Sequence, residues 1–152
     1  MKRLKQQLKE SYDGDPWFGK SIKSILSEID VEEAFIKPKE QHSILELLYH
    51  MIIWREFTMS RMKPEAGKNS VYFEKNDWED LDHTDKSLWT KGLQRLEYSQ
   101  MQLIDLIGHF KKERLDDIVP ERDYDFNFLL NGIIQHDIYH LGQIAYVKKI
   151  IG

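Results

Sequence analysis

The chain contains no cysteine. That absence excludes a disulfide scaffold, cysteine-ligated zinc, an iron–sulfur cluster and a thiol nucleophile, leaving His, Asp and Glu for any metal chemistry. Positive charge is not in excess either. Against 26 Asp and Glu stand 22 Lys and Arg, a net charge of −4, so there is no basic footprint for nucleic acid. No apolar run approaches the roughly 18–20 residues of a membrane span. The opening MKRLKQQLKESYDGD lacks the apolar stretch of a secretory signal. Internal repeats and low-complexity tracts are missing, and no segment shows a convincing period-2 alternation. These exclusions predict a cytoplasmic protein with no membrane and no nucleic-acid partner.

What is present suits one domain over residues 1–152. Hydrophobic residues make up 41%, enough for a core, and 32% of the chain is charged. Four main segments carry helical periodicity. The first, about Lys2 to Tyr12, spaces Leu4 and Leu8 by four and stops at Asp13-Gly14-Asp15-Pro16. A less regular piece follows over Trp17–Ile29, then a connection from Asp30 to Gln41 with Lys37-Pro38-Lys39 as a breaker. The second main helix is expected from about His42 to Met62, with Ile44, Leu47, Leu48, Met51 and Ile52 as its stripe. Residues 64–84 read as a long surface connection, of a length that is usually functional or topological. Thr84 is a candidate N-cap for the third helix, which ends near Phe110. The fourth runs from about Asp125 to Ile150 with Gly132 and Gly142 inside it. Each interior glycine costs about 1 kcal/mol against alanine, which predicts close backbone approach to a neighbour at both. The architecture expected is an all-α bundle with four principal helices.

Of six histidines, one pair has ligand spacing on a helix: His136 and His140 in QHDIYHLGQ. Four residues apart, both rings lie on one face and can reach one ion. Chance produces such pairs often, but here the pair continues the apolar stripe of Phe126, Leu129, Ile133, Ile144 and Val147. Two inward imidazoles need partners, because an unsatisfied buried polar group costs about 1–3 kcal/mol. Either a metal ion or hydrogen bonds to neighbours and buried water would supply them. On the second helix, His50 lies on or beside the core stripe and is the candidate third ligand. Glu46, one turn before it, is a candidate fourth ligand, acceptor behind a ligand, or base. His42 sits at the helix start, where capping or exposure is expected. Trp54, Trp89 and Tyr139 read first as packing residues, although Tyr139, Gln143 and Trp54 also lie where they would orient a substrate. A second apolar row on the fourth helix, Leu130, Ile134, Ile138, Leu141 and Ala145, makes that helix either central or part of a subunit contact.

Taken together, HSILELLYHMIIWREF, the later NFLLNGIIQHDIYHLGQIAYVKK and Trp17-Phe18-Gly19 make the chain resemble the DinB/YfiT-like superfamily of metal-dependent proteins. The resemblance covers nearly the whole chain. It implies a four-helix bundle with a long connection between helices two and three. It also implies a divalent ion, zinc or nickel among the choices, held by three histidines that map onto His50, His136 and His140. Relatives of this kind transfer or isomerise with low-molecular-weight thiols such as bacillithiol or mycothiol, and others are taken as hydrolases. The function expected is a metal-dependent enzyme acting on a small molecule, foremost a thiol-dependent S-transferase. The alternatives are a metal-dependent hydrolase or a non-catalytic, stress-related binding protein with a structural metal. A homodimer is expected from the two-sided fourth helix and from the resemblance.

Overall fold

The computed structural model describes residues 1–63, 65 and 67–152. Among these residues seven α-helices follow one another: α1 (Lys2–Asp13), α2 (Ile22–Leu26), α3 (Val31–Ala34), α4 (Ile44–Met62), α5 (Ser70–Lys75), α6 (Ser87–His109) and α7 (Phe126–Ile151). A 3₁₀ turn covers Lys112–Asp116. Among the described residues there is no strand, only an isolated bridge between Ile118 and Asp125. The fold is all-α, with four long helices and three short ones. Pro64, the expected start of the long connection, lies outside the described residues.

Local chemistry accounts for where the long helices begin. At α4 a capping box forms: the Ser43 hydroxyl accepts from the Glu46 N–H (3.2 Å) and the Glu46 carboxylate accepts from the Ser43 N–H (2.7 Å). Asp125 caps α7 by accepting from the Phe128 N–H at 2.7 Å. The start of α6 differs from expectation. Thr84 turns both its N–H and its hydroxyl onto the Asp82 carboxylate, and Asp85 accepts from the Ser87 N–H, so local Asp turns delay the helix to Ser87. The two segments read as plain connections also hold short helices. Ala34 and Phe35 bury one end of α3, and Phe73 of α5 packs edge-on against Phe57.

Helix α4 is central, packed against both α6 and α7, while α1 spans α6 and α7 on the far side. Two apolar clusters divide the core. One gathers Leu45, Leu48 and Ile52 with Leu141 and Ile144; the other gathers Ile53 and Phe57 with Phe126, Leu130 and Ile134. The N-terminal half of α4 thus faces the C-terminal half of α7, and the two helices run antiparallel. At the level where the clusters meet lie four buried polar side chains, Arg55, Asp137, His50 and His140.

The glycines correct one expectation. A Cβ on Gly132 or Gly142 would meet nothing within 4 Å, so neither marks a close helix approach. That place is Gly92 on α6, where a Cβ would stand 2.8 Å from the Tyr49 ring and 2.9 Å from Leu48. The second apolar row of α7 is mostly spent inside the chain: Leu130, Ile134 and Leu141 are buried and Ile138 and Ala145 partly so. That helix is apolar on two sides because it packs against α4 on one and against α1 and α2 on another.

Candidate metal centre

Helices α4 and α7 bring His50, His136 and His140 together, as their spacing and stripe positions suggested. The three Nε2 atoms form a triangle with sides of 2.9 Å (His50–His140), 3.1 Å (His50–His136) and 3.1 Å (His136–His140). Hydrogen bonding alone cannot satisfy such a triangle. Each neutral Nε2 is either protonated or bare, so among three at least two are alike. One contact then sets N–H against N–H or lone pair against lone pair. A cation facing three lone pairs removes the conflict. Imidazole nitrogens ~2.0–2.1 Å from one ion lie about 2.9–3.4 Å apart at ligand angles of roughly 90–110°, a range that takes in the spacing of the triangle. The three histidines can hold a metal ion.

The opposite ring edges favour the same protonation state. A bare Nε2 requires a protonated Nδ1. His50 Nδ1 donates to the Asp77 backbone carbonyl (3.0 Å), with the Asp77 carboxylate 2.9 Å away. The Asp77 carboxylate is fixed in turn by the Trp54 indole N–H at 2.6 Å. His140 Nδ1 donates to the Gln143 side-chain oxygen at 2.5 Å. The third, His136 Nδ1, is buried without a partner among the described residues. Burial first, and then the neighbouring His140 and His50, push the His136 pKa down to about 3. Burial likewise holds His140 below the ordinary histidine value. Both rings are neutral near pH 7, the state that ligates.

A stack of rings braces His50. Trp78 lies flat against it, with centroids 4.0 Å apart and planes 5° from parallel; His42 covers the other indole face at 3.6 Å and 4°. Behind α4 and α7, Arg55 and Asp137 pair with no exposure, the Arg55 Nε donating at 2.9 Å. Arg55 also donates to Ser99 and Gln100 on α6. One guanidinium therefore ties three helices beside the histidines.

The remaining sequence candidates fall in different places. Glu46 is not in the triad. Its carboxylate closes the capping box at Ser43 and pairs with Lys37 at 2.8 Å. Burial acts to raise its pKa, but Lys37 and the Ser43 N–H outweigh burial and hold it below the usual carboxylate range. An anion engaged at the helix start is poorly placed as a ligand or a base. Gln143 orients His140. Trp54 orients Asp77 and meets His136 edge-on at 6.5 Å. Tyr139 is mostly exposed, edge-on to His140. It borders a cleft of about 720 Å³ shared with Lys39, His42, Trp78, His140 and Gln143. Sequence reasoning missed Asp77 and Trp78. Both sit in the irregular connection, 27 and 28 residues beyond His50, where no periodicity relates them to it; the unusual length of that connection was the available signal.

Comparison with protein families matches residues 20–144 to the DinB superfamily. The matched range holds all three histidines, Asp77 and Trp78, and begins just after Trp17-Phe18-Gly19. No curated protein and no solved structure matches the chain significantly.

Proposed function

The chain belongs to the DinB superfamily, and from that premise we propose that it is a metal-dependent enzyme acting on a small molecule, a thiol-dependent S-transferase first of all. The observation that carries this reading is the Nε2 triangle, whose contacts only a shared cation satisfies. In this reading His50, His136 and His140 hold one divalent ion, zinc or nickel. Asp77 and Gln143 keep two of the rings in the ligating tautomer and orientation. Such an ion supplies Lewis-acid chemistry, favouring the deprotonated form of a thiol or a water at its open side. With no cysteine in the chain, the thiol is a cosubstrate from solution. The cleft bordered by Lys39, His42, Tyr139 and Gln143 reaches His140 and receives it.

Two features support catalysis over a purely structural metal. Only three protein ligands converge among the described residues, and a cleft adjoins them. Water in place of the thiol would make the same site a hydrolase. Metal analysis of wild type and His136→Ala comes first, with about one equivalent expected in the former and little in the latter. Equal contents would overturn the ligand assignment. Protein loaded with Zn²⁺ or Ni²⁺ is then offered low-molecular-weight thiols with model electrophiles, beside ester and amide hydrolysis. Thiol-dependent turnover supports the transferase; no turnover in any arm leaves the structural metal. A homodimer remains part of the proposal, and sedimentation at micromolar concentration tests it.

A further inference from the structure

Along α7, residues 128, 132, 136 and 140 follow one another at turn spacing and form a single row. Three carry rings, Phe128, His136 and His140; the fourth is Gly132. Packing does not require that glycine, because a Cβ there would meet nothing within 4 Å. A helix interior otherwise favours alanine over glycine. What the missing side chain leaves is space. A cavity of about 170 Å³, open to solvent on one side, lies beside Gly132, bordered by Trp54, Phe57, Tyr124 and the mostly exposed Phe128, with His136 at the end nearest the triad. No charged side chain lines it. An enclosed apolar cavity of roughly 150 Å³ accepts a benzene molecule, so this more open one has the volume for a ring of that size.

We propose that this cavity is a substrate pocket for an uncharged, benzene-sized aromatic group, and that Gly132 sets its size. The group lies against His136, on the side of the triad away from the Lys39–His42 cleft. The substrate would then present a small arene to one side of the centre, and a polar partner would approach from the other. Placing the reacting atom at the triad rests on the metalloenzyme reading; occupancy of the pocket by the arene does not.

The test uses toluene as the probe and the full-length protein, with ligand-observed NMR and the indole resonance of Trp54 as readouts. Saturable toluene binding that shifts the Trp54 signal is expected in wild type. Gly132→Leu should fill the pocket and abolish binding while retaining wild-type metal content and helical circular dichroism. Gly132→Ala, the milder change, should weaken binding, so a folding defect in the leucine variant does not decide the matter. Gly142→Ala, at an interior glycine outside the pocket, should bind as wild type does. Failure of wild type to bind toluene, or undiminished binding in both Gly132 variants, would overturn the pocket. If wild type and the variants hold metal equally, that failure leaves the metal centre standing. Toluene binding in a protein whose metal content does not depend on His136 would do the reverse.

Discussion

At the scale of single residues, the histidine triad depends on what stands behind each ring. Asp77 is the clearest case, reaching His50 through both its carbonyl and its carboxylate. Asp77→Asn keeps the carbonyl contact and removes the charge. Partners of this kind are typically worth about 10–100-fold in metal affinity, so chelator competition should show a loss in that range with the helix content intact. A second expectation follows from the depressed pKa values. Metal-free His136, pushed to about 3, and His140, held below its ordinary value, are neutral in the folded state. In the unfolded chain the same groups bind protons below about pH 6.5. Stability is therefore fully present above that value and drains away as pH falls toward the folded-state values. The urea midpoint of the metal-free protein should be level above pH 7 and decline from pH 6.5 downward; a level midpoint to pH 5 would contradict the burial of these rings. The histidines were legible because helical spacing and an apolar stripe are local signals. Asp77 and Trp78 were not, because the connection that carries them has no period to read.

Among the elements, α4 and α7 were readable to within about two residues from their long apolar stripes, and the structure adds the caps, Ser43 and Asp125, that set their first turns. The start of α6 was not, because Asp82 engages the N–H and hydroxyl of Thr84 itself, and Asp85 takes the Ser87 N–H that a Thr84 cap would have accepted from. Arg55 escaped notice for a different reason. Arginine is almost never fully buried unless paired, and its partner Asp137 lies 82 residues away. The pair fixes the register of α4 against α7 and so holds the three Nε2 atoms in place. Arg55→Met strands a buried carboxylate and should cost about 3–5 kcal/mol in urea unfolding. Adding Asp137→Leu should restore much of that loss, because a matched apolar pair leaves no buried charge alone. If the double variant is no better than the single, the ion pair is not the source of the cost.

For the whole molecule, an ion on the triad would be linked to the fold, because the three histidines come together only in the folded chain. Any ion that binds the native state alone raises stability in proportion to the logarithm of its excess over Kd, by about 2.7 kcal/mol at a hundredfold excess. Adding EDTA to metal-loaded protein should lower Tm, and restoring Zn²⁺ should raise it again; a Tm indifferent to both would mean that no ion of consequence binds. The triad joins positions 86 and 90 residues apart, more than half the chain. A permanent tie across a loop of that size removes roughly 4.5 kcal/mol of freedom from the unfolded ensemble in the chain-entropy account. A protein without cysteine can make no such tie by disulfide. An ion on His50, His136 and His140 would be its cross-link, indifferent to the redox state of its surroundings and governed by the free metal concentration.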